Sequence, residues 1–411
     1  MKLQIHNSES ADQVEKYLRA KCSLEAYYST NEQEVVGDWG GLGSEMLGLK
    51  GRVTDEAFGR LVHNLHPQTG EQLTDRMRKD RRPGFDVVFN VPKSVSLVYA
   101  YTKDERIIRA LREVVAEVRD LAQEQAAVRI RAGNKNRDED RVTKWLISAE
   151  HIHLTARPED GYSDPHLHVH LYIPNVSWDA EEKKFKALQM GRIHQMAADL
   201  EKLATKRMAE KLEEIGFKII PTEHAYEIEG FNRELVEKFS RRTMTIEATA
   251  ERLGITDPAK KAKLAALTRE NKIKDVKFSD FEPIWWGSLL PEEEKPFKAA
   301  QTLLERSRTL GIEQPSPAPN HTTPEIGFEP APMKSSLGRK EAAWAKDRLK
   351  LMPDGRRYSV NRATRPQRQP RQPVIPNEHD RRAVALALEH LLERKSVVTE
   401  FQIVAEASTN W

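Results

Sequence analysis

Asp164-Pro-His-Leu-His-Val-His-Leu-Tyr-Ile-Pro174 alternates histidine with aliphatic residues over the length of one β-strand. Successive side chains of a strand point to opposite faces. His166, His168 and His170 therefore share one face, and Leu167, Val169 and Leu171 form an apolar face for packing against helices. Same-face neighbours lie ~6–7 Å apart, so two imidazoles can converge on one ion. Three neutral nitrogen ligands with open positions would make that ion a Lewis acid rather than a structural staple. The third ligand has to come from an adjacent strand. His151 and His153, near the end of a strand-like run over residues 142–154, are both candidates and could face the same way. The plainer reading is a polar sheet face lined with histidines; a purification tag is excluded by position and by the alternating leucines.

Around this strand the pattern is mixed. Residues 85–89 and 95–99 read as strands flanking a Val-Pro-Lys-Ser corner. Residues 104–128 read as a long amphipathic helix with Asp104 at its start. Its apolar side carries Ile107, Ile108, Leu111, Val115, Val118, Leu121 and Ala122. A second long helix spans 191–215 and is stopped by Gly216. Strands interleaved with long helices give an α/β sandwich with helices packed on a sheet. From 217 to 298 the texture is mainly helical and rich in Lys, Arg and Glu, which suits a cover over that sheet.

Composition narrows the function. Hydrophobic residues make up 38% of the 411 and charged residues 31%, the balance of a soluble globular protein. The 66 basic and 63 acidic residues nearly cancel, so any basic surface is local. Cys22 is the single cysteine, which excludes an intramolecular disulfide and a cysteine-based zinc site and fits a reducing cytoplasm. Residues 1–10 lack a signal pattern, and no apolar run approaches the ~18 residues of a membrane span. No Walker A motif occurs. Residues 314–333 are proline-rich and read as a linker or wrapping arm. Six arginines and no acid fall between Arg356 and Arg371, a basic arm or a solvated linker. Residues 379–408 carry helical apolar spacing (Val384, Leu388, Leu391, Leu392) and read as the opening of a further, truncated domain.

A His-bound metal without paired carboxylates or a catalytic cysteine needs a nucleophile. Tyr17 and the pair Tyr27-Tyr28 lie in polar contexts near the N-terminus. A phenol, with a reference pKa of ~10, attacks phosphate only after deprotonation and with the phosphate polarised opposite it. Read alone, such tyrosines equally suit packing or turns.

Three segments, in order, resemble the MobF-type conjugative relaxases (TrwC/TraI-like). The first is Tyr27-Tyr28 followed by Gly37-Asp-Trp-Gly-Gly-Leu-Gly-Ser-Glu-Met-Leu-Gly-Leu-Lys-Gly51. The second is Pro83-Gly-Phe-Asp-Val-Val-Phe-Asn-Val-Pro-Lys-Ser-Val-Ser-Leu97. The third is His153-Leu-Thr-Ala-Arg157 with Asp164-Pro-His-Leu-His-Val-His170. The resemblance covers about residues 17–300. It implies an antiparallel-sheet HUH endonuclease palm with packed helices and a helical cover, in a relaxase domain spanning 1–306. A Pro/Arg-rich linker (307–378) and the start of a helicase-type region (379–411) would follow, since residues 383–396 also resemble that region.

Carried over by position, the resemblance makes His153, His168 and His170 the metal ligands and leaves His151 aside. His166 becomes a neighbour of the site. Asp86 matches an acid beside the metal, with the task of holding an imidazole N–H or accepting the tyrosine proton. Tyr17 becomes a candidate for the first cut, with Tyr27 and Tyr28 as the others. Leu18 stands where an upstream pair would have its second tyrosine. The implied ion is Mg2+ or Mn2+, with Zn2+ as the alternative. The implied partners are single-stranded and hairpin DNA at a transfer origin, with accessory relaxosome and coupling proteins. Arg78, Lys79, Arg81, Arg82 and Lys93 are candidate phosphate contacts, and Arg241-Arg242 with Trp285-Trp286 could close over the strand or belong to the core. A rolling-circle initiator or transposase would use the same chemistry. A non-catalytic DNA-binding protein would lack the covalent step, and a metallohydrolase would replace it with water.

Overall fold

The structure, a computed structural model, describes residues 1–8, 10–14, 34–78, 80–130, 139–159, 161–223, 225–268 and 278–311. In chain order these form β1 (Lys2–Asn7), β2 (Glu34–Gly40), α1 (Leu42–Met46), α2 (Asp55–Val62), β3 (Gly84–Asn90), α3 (Lys93–Thr102) and α4 (Glu105–Gln123). Then come β4 (Ala127–Ile130), β5 (Glu139–Val142), β6 (Ser148–Thr155), β7 (Pro165–Pro174), β8 (Ser177–Asp179), β9 (Lys184–Lys186) and β10 (Leu188–Gln189). The rest is α5 (Gly191–Ile215), β11 (Ile219–Pro221), β12 (Tyr226–Ile228), α6 (Arg233–Lys238), α7 (Arg241–Arg252), α8 (Pro258–Leu267), α9 (Phe278–Gly287) and α10 (Lys295–Thr309).

The histidine strand, β7, lies in the middle of a five-stranded sheet of order β1-β3-β7-β6-β2. Every neighbouring pair in it is antiparallel. Its two faces separate as the alternation requires. Leu167, Val169, Leu171 and Ile173 are buried with Phe85, Val87 and Phe89 of β3 and Ile152 and Leu154 of β6. Helices α3, α4 and α5 cover that side, with Leu97, Leu111, Val115, Leu200 and Met208 in the same core. At roughly 1.5–3 kcal/mol for each fully buried aliphatic or aromatic side chain, this layer holds the sheet rigid beneath the other face.

Several boundaries differ from expectation. Residues 95–99 belong to helix α3, not to a strand. Eight of its ten residues are buried, so no amphipathic period survives to identify it. The serines of the Pro-Lys-Ser-Val-Ser run fasten this helix: Ser94 Oγ accepts the Ile228 N–H at 2.9 Å, and Ser96 Oγ accepts the Leu167 N–H at 3.0 Å. Helix α4 starts where expected, with the Asp104 side chain accepting the Arg106 N–H, but ends at Gln123. Residues 127–130 instead pair with β5 and β10, a use of Val128 and Ile130 that the preceding helix formers obscured. Leu121 is 41% exposed, standing about 100° round the helix from buried Ala122. The run 142–154 is interrupted, with β5 ending at Val142 and β6 starting at Ser148. Helix α5 has the expected bounds, and Gly216 caps it at φ 107°, a left-handed conformation. Helix α10 runs unbroken through residue 306 to Thr309, so the expected domain limit at 306 falls inside a helix.

The glycine-rich motif has a steric explanation at Gly37. A Cβ there would sit 1.8 Å from the carbonyl oxygen of Glu150, on the neighbouring strand β6. Gly37→Ala is expected to lower stability by ~1–3 kcal/mol through forced separation of β2 from β6. Urea unfolding reads this directly, and an unchanged midpoint would contradict the close approach.

Candidate metal centre and its cleft

The opposite face of the sheet bears the histidines. Antiparallel register sets His153 directly across from His168, and His151 across from His170. Ring centroids are 4.9 Å apart for His153 and His168, 4.5 Å for His153 and His170, and 5.1 Å for His168 and His170. One nitrogen from each of these three lies within 4.8 Å of the others. His151 shares their face and is as buried as His153, but it meets the edge of Phe58 from α2 at 5.4 Å and does not line the cleft onto which the other three open. Helix α2 closes that end of the sheet, so His151 is a packed residue.

The second nitrogen of two rings is fixed. His170 Nδ1–H donates to both Asp86 oxygens at 3.0 and 2.8 Å. His168 Nδ1–H donates to the His166 carbonyl oxygen at 2.8 Å. Both rings thereby offer Nε2 to the centre, the arrangement that sets tautomer and raises ligand basicity. His166 is held apart. Between Pro165 and His168 the register shifts, with β7 using one residue more than β6, and local twist increases at such bulges. His166 Nε2 lies 3.1 Å from Asn90 Oδ1, and burial pushes this imidazole down to about 3. Three imidazole nitrogens with no thiolate fit a divalent transition ion with open positions. If Asp86 orients His170, Asp86→Asn should weaken metal affinity roughly 10–100-fold. Titration calorimetry on the Asp86→Asn protein checks this, and unchanged affinity would remove Asp86 from the site.

The cluster opens on a cleft of about 860 Å³. Its floor includes Gln4 and His6 of β1 and Val88 and Asn90 of β3, and α7 supplies Arg242, Thr243 and Ile246 to a wall. Gln13 and Val14 also line it. Lys93, at the first turn of α3, reaches the cleft and donates to the Pro165 carbonyl at 2.8 Å. Burial lowers its ammonium to about 8, with Asp164 and Glu227 opposing the shift.

The other basic residues divide between half-buried latches and exposed positions. Arg241 Nε and Nη2 donate to Asp164 Oδ1 at 2.9 and 2.6 Å, and the Arg241 backbone N–H donates to Oδ2 at 2.8 Å. Arg242 Nη1 donates to Glu159 at 2.8 Å, and its Nη2 donates to the Ala265 carbonyl at 2.7 Å. The pair latches the cover onto the β6–β7 connection because buried carboxylates demand partners. Asp164, part of the quoted strand motif, thus has a role that sequence reading missed; the acid before the strand and the arginine pair were the available signal. Trp285 is 1% exposed with its indole N–H on the Ser163 carbonyl. Trp286 packs against Tyr101 and Phe297. Both tryptophans serve the core. Arg81 donates to the Asn175 carbonyl at 2.8 Å, and Arg82 lies 5.4 Å from the Phe85 ring. Arg78 is exposed beside Asp80. Tyr17, Tyr27, Tyr28, Lys79, the proline-rich and arginine-rich runs and residues 379–411 lie outside the described residues. Among the described residues no helix is long and apolar enough to cross a membrane.

Comparison with known proteins agrees with this geometry. The family model described as TrwC relaxase matches residues 11–289. The multifunctional conjugation protein TraI of Escherichia coli (strain K12) is 28% identical over 293 residues, 68% of this chain and 16% of that protein. A second Escherichia coli TraI is 27% identical over 299 residues, with the same shares. This chain therefore spans 16% of the length of these curated relatives. A copper-bound structure of the conjugative relaxase TrwC in complex with oriT DNA is similar at TM-score 0.61 and 22% identity, over 72% of this chain and 98% of that one. TrwC complexed with a 27-mer DNA comprising the recognition hairpin and the cleavage site gives TM-score 0.59 at 22% identity, with the same coverage. At that identity the likeness establishes the fold.

Proposed function

Because this chain belongs to the TrwC relaxase family, we propose that it nicks and rejoins one DNA strand at a plasmid transfer origin through a tyrosine-linked intermediate. The reaction would initiate conjugative transfer of single-stranded DNA in the cytoplasm. The observation that carries the reading is the cluster of His153, His168 and His170 in an open cleft, with Asp86 holding the second nitrogen of His170. When bound there, a divalent ion supplies Lewis acidity to a phosphate oxygen and neutralises charge developing on it. An all-imidazole donor set suits Zn2+ best and Mg2+ least, with Mn2+ between them.

The protein's own groups account for the rest. A tyrosine oxygen attacks phosphorus in line, the bond from phosphorus to the 3′ oxygen breaks, and the strand leaves with a free 3′-hydroxyl. The product is a 5′-phosphotyrosine, whose bond energy allows rejoining without ATP. Tyr17, Tyr27 and Tyr28 are the proposed nucleophiles, with Tyr17 first. Support comes from both flanks of their segment. Gln13 and Val14 border the cleft, and β2 begins at Glu34, paired with His153. Among the described tyrosines, Tyr172 lines the cleft but is 1% exposed, and burial raises its phenol well above the ordinary value. That disfavours the phenolate.

Hairpin DNA at the origin is the proposed recognition partner, with accessory relaxosome and coupling proteins. The linker and helicase-start reading of the C-terminal residues stands as part of the same proposal. The test is incubation with Mn2+, Zn2+ or Mg2+ and single-stranded oligonucleotides from candidate origins, followed by denaturing gels. A covalent adduct on the fragment that carries the new 5′ end is expected. Cleavage without an adduct would favour a metallohydrolase, and no reaction on a cognate origin would end the strand-transfer reading.

A further inference from the structure

Tyr162 stands out among the exposed aromatic side chains. Its ring is 42% exposed, although it sits in the connection between the two strands that carry the histidines. That connection is a tight turn in which Glu159 and Tyr162 exchange both backbone hydrogen bonds, at 2.8 and 3.0 Å. Residues on both sides of the turn, Arg157 and Pro158 before it and Ser163 and Asp164 after it, line the cleft. The ring is therefore carried by a short, hydrogen-bonded support whose flanking residues line the cleft.

One side of the ring has a partner. The Arg241 guanidinium lies 5.4 Å from its centroid, within the range of a cation–π contact. Arg241 is itself immobilised by three hydrogen bonds to Asp164, whose side chain is 4% exposed. Such a stack fixes the plane of the phenol ring and leaves its remaining surface to solvent. An exposed aromatic face held in a fixed plane is the arrangement on which unpaired nucleobases stack, because every base offers a π-face.

We propose that Tyr162 is a stacking platform for an unpaired nucleobase at the mouth of the cleft, positioning the strand that crosses the metal centre. The ring acts through its face, not through its hydroxyl, and makes no bond to the reacting phosphate. Tyr162 is thus a positioning residue, and the inference rests on the strand-transfer reading for the identity of its ligand. It also separates recognition of the single strand from the histidine chemistry, since the two lie on different parts of the same strand pair.

The test uses the full chain and a fluorescently labelled single-stranded oligonucleotide spanning the nick, followed by anisotropy. Tyr162→Ala should weaken binding roughly 5–150-fold, the range for loss of one stacked base. Tyr162→Phe and Tyr162→Trp should bind like the parent. In single-turnover cleavage, Tyr162→Ala should raise the DNA concentration needed for half-maximal rate by the same factor as it weakens binding, and Tyr162→Phe should not. An abasic site at the stacked position should weaken the parent as much as Tyr162→Ala does, and should add nothing to that variant. Unchanged affinity in Tyr162→Ala would overturn the proposal. So would a Tyr162→Phe protein as weak as Tyr162→Ala, which would assign the effect to the hydroxyl. Absence of any covalent adduct with the parent protein would instead count against strand transfer, and the binding series would still read the platform on its own.

Discussion

His170→Ala is expected to abolish ion binding at the cleft and to lower the nicking rate by at least about a thousandfold. Two consequences combine. One of three converging nitrogens is lost, and the Asp86 carboxylate is left without the N–H that it receives at 2.8 Å. Charge stabilisation at a phosphate is worth several kcal/mol, and each ~1.4 kcal/mol is tenfold in rate. Calorimetric titration with Zn2+ and Mn2+, paired with single-turnover cleavage, measures both effects. The informative control is His151→Gln, on the same sheet face but packed on Phe58. It should keep ion binding and rate near those of the parent. Equal damage from both substitutions would mean that the triad has been misassigned.

The second large effect is expected at the nucleophile. Tyr17→Phe should eliminate the covalent adduct in a first-cleavage assay, a loss of about a thousandfold or more, as when a covalent nucleophile is removed. DNA binding should persist, because the phenyl ring remains. Tyr27→Phe and Tyr28→Phe should leave first cleavage measurable. If Tyr17→Phe forms the adduct normally, the first cut passes to Tyr27 or Tyr28, and the gel pattern of those variants decides between them. An adduct surviving in all three single variants and in the triple variant would remove this segment from the chemistry. Tyr172 is no substitute, since its burial opposes the phenolate.

How far the sequence reached depended on whether a signal was local. Alternation in β7 was visible because one face is apolar and the other is not, and the structure separates those faces as expected. The bounds of α5 were equally legible, with a glycine at φ 107° ending the helix. Helix α3 was hidden by its own burial, since a segment covered on all sides has no period to read. For Arg241-Arg242 and Trp285-Trp286 the sequence left a DNA-closing role and a core role open, because basic and aromatic residues carry the same letters in a latch as in a binding surface. Their partners, Asp164, Glu159 and the Ser163 carbonyl, are distant in sequence and could not be paired by inspection.

By itself the sequence determined that His168 and His170 share a face, because a strand has a period of two wherever it is placed. Choosing His153 over His151 needed the family pattern. Both histidines have the same parity, so spacing cannot separate them. Only the tertiary structure shows the physical difference: register sets His153 opposite His168, where it lines the cleft, while His151, equally buried, packs against Phe58 of α2. The orientation of His170 was likewise decided by pairing between β3 and β7, which brings Asp86 within hydrogen-bond distance of a residue 84 positions away. Periodicity is a property of the chain; which parts of a face stay open, and what stands beside each ring, are properties of packing.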